Sequence, residues 1–211
     1  MENLTFIQIG TAVGNDLFYK MVSIFQQSTL ILVEPIQHQA AKEFYANTGM
    51  NFVIIDKAIV PNYYTEDTVS MYMFHGDSNL SSLLDRKAIT SSHVVFAEAM
   101  KIGQLLDIAG KKAAGLFIDT EGLDAELLCD LDLQENDIDI IFYEEWIPYD
   151  DDKNEKFKSI SLKETLENKL EKHGYELLKV VDTEGNKNPL WIKKSCMHLP
   201  HILEVREFFG V

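Results

Sequence analysis

Cysteine is almost absent from the 211-residue sequence. Cys129 and Cys196 stand alone, too few for a disulfide framework and in keeping with a reducing, cytoplasmic setting. No run of about 18 apolar residues occurs, so no membrane-spanning helix is expected. Strand-like sequence begins at Leu4, which leaves no room for a basic-then-apolar leader. Basic residues are outnumbered, 19 Lys and Arg against 34 Asp and Glu, for a net charge of −15. Nucleic-acid binding relies on clustered Lys and Arg to neutralise phosphates, so that partner class is not expected. Linkers of low complexity and internal repeats are also missing. Residues 1–211 therefore read as one domain with enough chain for a full core. Its abrupt first strand is equally compatible with excision from a longer, multidomain polypeptide. Nothing in the sequence specifies an oligomeric state.

What is present is organised around Phe6-Ile7-Gln8-Ile9-Gly10-Thr11-Ala12-Val13-Gly14-Asn15. An apolar strand runs into a glycine turn, and the turn opens a helix from Asp16 to Gln27. A second apolar run, Leu30 to Val33, ends in Glu34-Pro35, twenty residues after Gly14. This is the first half of a nucleotide-binding βαβ unit, in which an acid at the end of the second strand takes ribose hydroxyls.

Pro35 suits the start of a helix, where its missing N–H costs nothing. The spacing predicts that helix over 36–47 and a third strand over 52–55. Strands follow at 69–74, 94–97, 116–118 and 138–143, with helices at 101–109, through Leu127-Leu128, and at 162–173. Tyr175–Val181 and Leu190–Lys194 read as a closing pair around a turn. The expected fold is α/β: a doubly wound, Rossmann-like sheet, mostly parallel, with a C-terminal antiparallel β-hairpin and helices on both faces. His75 to Ser82 reads as a polar loop, Pro148–Lys158 as a charged lid, and Ser195–Val211 as a tail.

Ligands of open α/β sheets bind beyond the carboxyl ends of the strands. Four predicted strand ends carry acids there: Glu34, Asp56, Asp119 to Glu121, and Glu144-Glu145. Fifteen acids stand against one Lys between Asp119 and Glu155. Such a stretch is either a solvated face or a carboxylate-lined pocket for a cationic ligand or metal. The dinucleotide fingerprint requires glycine where this chain has Ala12 and Asn15, and no phosphate loop exists. A ligand with ribose, a positive charge and no phosphate suits the turn better, and S-adenosylmethionine is such a ligand. Gln8, Gly10, Thr11, Ala12, Gly14, Asn15, Glu34, Pro35, the Asp56-Lys57-Ala58 run and Asp119 are the candidate cofactor contacts. Glu34 bidentate to the ribose would contribute roughly 1.5–3 kcal/mol.

These motifs resemble the FkbM-like family of methyltransferases. Gln8 to Gly14 is similar to the family's Asp-Val-Gly-Ala-Asn-x-Gly, with Gln8 in place of the acid and Thr11-Ala12 in place of Ala-Asn. Glu34-Pro35 matches its second motif. Ile118-Asp119-Thr120-Glu121-Gly122-Leu123-Asp124 matches Ile-Asp-x-Glu-Gly-x-Glu, the most specific part. Glu144 and Gly174-Tyr175 match later positions. The resemblance implies an S-adenosylmethionine-dependent O-methyltransferase acting on a small-molecule or glycan hydroxyl.

For the base that takes the hydroxyl proton, Glu121 and Asp119 come first, then Glu144 and His75. A divalent cation such as Mg²⁺, held by Asp119 and Glu144, is the alternative way to activate the hydroxyl. Trp146 and Tyr149 are candidates for stacking on a sugar ring. His198 and His201 flank Pro200, which is expected to break any helix a zinc pair would use. Two other classes compete. Asp130-Leu131-Asp132 and Asp137-Ile138-Asp139 have the spacing of a metal-dependent glycosyltransferase using a nucleotide sugar. A non-catalytic nucleoside-binding domain is the second rival, favoured only by Gln8.

Overall fold

Apolar runs of four or five residues, separated by helix-length segments, build one central sheet in the computed structural model. It describes residues 3–74, 77–82, 91–145, 162–183 and 186–211. In chain order the first elements are β1 (Thr5–Ile9), α1 (Leu17–Val22), β2 (Thr29–Val33), α2 (His38–Ala46) and β3 (Asn51–Ile55). An insertion follows: β4 (Ala58–Val60), β5 (Thr68–Phe74), β6 (Asp77–Ser82) and β7 (Ser91–Lys101). Then come α3 (Ile102–Ile108), β8 (Lys112–Ala113), β9 (Gly115–Ile118), α4 (Asp124–Asp130), β10 (Asp137–Ile138) and β11 (Ile140–Tyr143). The chain closes with α5 (Lys163–Lys172), β12 (Tyr175–Thr183), β13 (Asn186–Lys193) and α6 (Pro200–Phe209).

Seven strands form the main sheet in the order β12-β13-β11-β9-β1-β2-β3. β1 pairs in parallel with β2 and with β9, and β9 pairs in parallel with β11. β13 runs against both β11 and β12. The expected α/β sheet, mostly parallel and closed by an antiparallel hairpin, is thus the observed one. Alternate side chains supply its two cores. Ile7, Ile31, Leu116 and Ile141 meet α3, α4 and α5 on one face. Phe6, Leu30, Phe117 and Phe142 meet α1, α2 and α6 on the other. No helix among the described residues is long and apolar enough to cross a membrane.

The first helix, expected to Gln27, ends at Val22, and three further local expectations change. The stretch 138–143 is not one strand, because Asp139 interrupts it. Its N–H donates to the Ala113 carbonyl, and its carboxylate accepts from Cys196 Sγ at 3.0 Å and pairs with His201 Nε2 at 2.9 Å. Residues 77–82 form strand β6 rather than loop, since backbone pairing to β5 suffices for an outer strand of polar residues. Pro200 starts α6 instead of breaking a helix: its fixed φ fits the first helical position. The expected tail is therefore largely a docked helix, with Ile202, Val205 and Phe209 buried.

The insertion is a second, four-stranded sheet in the order β4-β7-β5-β6. It is pinned to the main body at several points. Asn62 donates through its N–H to Asp130, Gly103 N–H donates to Asn62 Oδ1 at 3.0 Å, and the Tyr63 hydroxyl donates to Glu126. Met71 of β5 reaches the pocket described next.

Candidate active site

The order β2-β1-β9 places the chain's reversal of winding direction at β1, and a pocket opens there beyond the carboxyl ends. It holds about 640 Å³ of space open to solvent on one side. Gly10, Ala12, Glu34, Pro35, Lys57, Ala58, Asp119 and Glu121 line it, all candidates from the sequence. Ile9, Val33, Ile59, Met71 and Thr120 complete the wall.

Backbone ladders extended by one residue aim the acids. Glu34 N–H donates to Ile55, Asp119 N–H to Ile9 and Glu144 N–H to Ile118, each to a carbonyl at the end of the neighbouring strand. Gly10 is required by the same closeness. At φ +85° it lies so near β9 that a Cβ would stand 1.7 Å from the Asp119 carbonyl oxygen. Gly14, at φ +91°, answers to packing: a Cβ there would meet the Phe44 and Tyr45 rings at 2.8 Å.

Glu34 is buried and ties the glycine turn to the start of α2. Its Oε2 accepts from Ala12 N–H at 2.9 Å, and its Oε1 from Ile36 and Gln37 N–H at 2.8 and 2.9 Å. Burial pushes its carboxyl above the ordinary value against these three bonds. A carboxylate offers about four acceptor positions. One remains, on Oε2, which is narrower than the bidentate ribose contact expected from the sequence.

Asp119, Glu121 and Glu144 converge, with one carboxylate oxygen of each within 4.8 Å of the others. Asp119 opens to the pocket but is walled by protein elsewhere. Loss of hydration, together with the charges of Glu144, Asp124, Glu121 and Asp16, holds it well above the usual carboxylate range. The turn beneath is knit by Asp124, fully buried, which accepts from the Thr120 hydroxyl at 2.7 Å and from the N–H groups of Thr120 and Gly122. Burial raises the Asp124 carboxyl to about 6. Glu121 itself sits at φ +57°, in the left-handed region that side chains rarely adopt.

The remaining candidates lie elsewhere. Gln8 is buried behind the turn, where its Nε2 donates to Asp16 Oδ2 at 2.5 Å. Thr11 is buried outside the pocket lining, and Asn15 and Asp56 are exposed away from it. Lys57 lines the mouth and pairs with Glu98 at 2.9 Å. His75, Trp146, Tyr149 and the 148–158 lid fall outside the described residues. The Asp-x-Asp pairs are occupied away from the pocket. Asp130 accepts from Asn62, Asp132 caps the Gln134 and Glu135 N–H groups, Asp137 pairs with Lys193, and Asp139 holds Cys196 and His201. Ile9, Val33, Ile59, Met71 and Thr120 are lining residues that were not among the expected contacts. Thr120 was findable as the middle of the Asp-Thr-Glu-Gly motif. Ile59 and Met71 arrive from the insertion, whose docking against the pocket leaves no mark in one-dimensional patterning.

No protein-family model matches the chain, and no curated protein does. Solved structures align with it only distantly. A ribosomal protein L11 methylase from Lactobacillus delbrueckii subsp. bulgaricus has 10% identity and a TM-score of 0.42, over 92% of this chain and 72% of that one. A SAM-dependent methyltransferase from Aquifex aeolicus has 12% identity and a TM-score of 0.42, over 90% and 82%. The antibiotic-resistance methyltransferase Kmr has 12% identity and a TM-score of 0.40, over 90% and 87%. Likeness at this level carries no activity over to this chain.

Proposed function

We propose that this chain is an S-adenosylmethionine-dependent methyltransferase acting on a hydroxyl, with a sugar or glycan as the acceptor class. One observation carries the reading. One pocket at the ends of β1, β2 and β9 joins a buried Glu34 with a spare acceptor to Asp119 and Glu121, with the buried Glu144 beside them. The first suits a ribose hydroxyl, the second a cation, and no phosphate-binding turn stands between them. The FkbM-like motifs supply the transfer to a hydroxyl and the glycan class.

When bound, S-adenosylmethionine supplies an electrophilic methyl group on a sulfonium. The chain does the rest. Glu34 Oε2 would accept from a ribose hydroxyl, while Gly10 and Ala12 would let the ligand lie against the backbone. The acidic cluster of Asp119, Glu121 and Glu144 favours a cation, whose charge would offset the repulsion that holds the Asp119 carboxyl high. A carboxylate oxygen of Glu121 takes the proton of the acceptor hydroxyl, a contribution of roughly 10²–10⁴-fold. Alignment of the two reactants contributes the larger part.

A divalent cation is a second reading of the same cluster. Asp119, Glu121 and Glu144 offer the oxygen donors that Mg²⁺ takes. Chelation separates the two: methyl transfer that persists in EDTA discards the metal.

The test is thermal denaturation with S-adenosylhomocysteine. At a hundred times its Kd it should raise Tm by roughly 5–11 °C, from about 2.7 kcal/mol of linkage in a domain of this size. No shift at millimolar ligand would refute the cofactor. A methyl-transfer assay across glycans and small hydroxylated acceptors then identifies the second substrate.

A further inference from the structure

We propose that Ser82 is a positioning residue for Glu121, through which the inserted sheet sets the carboxylate geometry of the pocket. The inference rests on the methyltransferase reading for its catalytic consequence, though not for its structural part.

Ser82 is the last residue of β6 and is buried, at 1% exposure. Its Oγ donates to the Glu121 carbonyl at 2.8 Å, across 39 positions of sequence. The bonds that knit the 119–124 turn from within leave from Thr120, Gly122 and Leu123. The one on the Glu121 carbonyl comes from the other sheet. It acts where the backbone is most unusual, with Glu121 at φ +57° and Gly122 at φ +119° in succession. Such conformations persist only where the surroundings over-determine them. Fixing that peptide plane fixes the direction in which the Glu121 side chain leaves the backbone, and hence its approach to Asp119 and Glu144.

The insertion has other anchors, Asn62 on Asp130 and Tyr63 on Glu126. Removing one hydroxyl should therefore loosen the turn without releasing the small sheet. A polar serine inside a buried contact is otherwise a poor choice for packing. Its use here matches the need to hold a carbonyl, not to fill space.

The experiment uses the full chain with Ser82→Ala and Ser82→Thr. Backbone amide and Cα resonances of Glu121 and Gly122 should move in Ser82→Ala and return toward wild type in Ser82→Thr, while those of Tyr63 stay in place. With the acceptor found in the panel assay, Ser82→Ala should lower kcat by ten- to a hundredfold and leave the Kd for S-adenosylhomocysteine, measured by calorimetry, within twofold. Ser82→Thr should recover most of kcat. Unmoved turn resonances, or Ala and Thr variants with the same kcat, would overturn the proposal. Loss of cooperative unfolding in Ser82→Ala would also overturn it, in favour of a purely structural role. If the wild type binds no S-adenosylhomocysteine, the cofactor reading fails, and the resonance arm still decides whether Ser82 holds Glu121.

Discussion

Two glycines with the same backbone sign but different surroundings allow the pocket's tightest contact to be weighed. Gly10 has φ +85° and Gly49 has φ +76°. An added Cβ at Gly49 meets nothing within 4 Å, whereas at Gly10 it would lie 1.7 Å from the Asp119 carbonyl oxygen. Gly49→Ala should therefore cost only the left-handed conformation, about 1–2 kcal/mol. Gly10→Ala adds an overlap that only separation of β1 from β9 can relieve, another 1–3 kcal/mol or so. For a domain of this size these become Tm losses of roughly 2–8 °C and 4–20 °C. Urea denaturation of both variants, followed by calorimetry with S-adenosylhomocysteine, is the assay. Gly49→Ala should bind as wild type, because the α2–β3 turn is remote from the pocket lining. Gly10→Ala should bind at least tenfold more weakly, since the shift needed occurs inside the pocket wall. Equal stability losses in the two variants, or undiminished binding by Gly10→Ala, would refute the argument that strand proximity, and not turn conformation alone, demands Gly10.

Other outcomes follow from groups already placed. Glu34→Ala should abolish the thermal shift and also cost about 2–4 kcal/mol, as three backbone N–H groups lose a buried acceptor; an unchanged ligand shift would remove the ribose role. Partial burial raises the Asp139 carboxyl, but bonds from His201 and Cys196 and the charges of His201 and Lys112 outweigh it and hold the group below its usual value. Its stabilisation is present above the unfolded carboxylate range and is lost as pH falls through the depressed folded value. The stability gap between wild type and Asp139→Asn in urea should accordingly shrink from pH 7 to pH 3, and a constant gap would dismiss the pairing. Asp124 behaves oppositely. With its folded value raised to about 6, its contribution is present below the unfolded value of 3.8 and is lost as pH rises through about 6. A ¹³C titration of its carboxyl with a midpoint near 4 would contradict this.

The parallel strands were legible because each is a short apolar run ended by an acid or a glycine. β1, β2, β3 and β9 fall within a residue of the expected bounds. Glu34, Asp119 and Glu144 were legible for the same reason, being the first residues past their strands. The roles of Gly10 and Gly14 were not. Both read as ligand-approach glycines, yet Gly10, though it lines the pocket, also answers to the Asp119 carbonyl just past β9, and Gly14 answers to two rings on α2. Contacts across a hundred residues leave no mark in local pattern. The insertion was obscured because its strands are joined by backbone pairing and mix polar with apolar residues. Val94 to Ala97 showed as a fragment of what is an eleven-residue strand. The C-terminal helix was misjudged by treating Pro200 as a stop, when its position decides between stop and start.

The pairing of β1 with β9 has a consequence for how the chain acquires its site. Phe6 is opposite Gly115, and the strands between them in sequence include both β2 and the entire insertion. Joining segments so far apart is slow, because the chain must surrender loop entropy before the contact returns anything. β1 with β2 can form early, bringing Glu34 to Ala12 through local sequence alone. Asp119 reaches Gly10 only when β9 docks. Assembly in two kinetic stages is the expected outcome, the Glu34 wall first and the acidic wall last. A ligand spanning both walls would hold the slowest contact of folding closed, so its main kinetic effect should fall on unfolding, with little change in the rate of refolding.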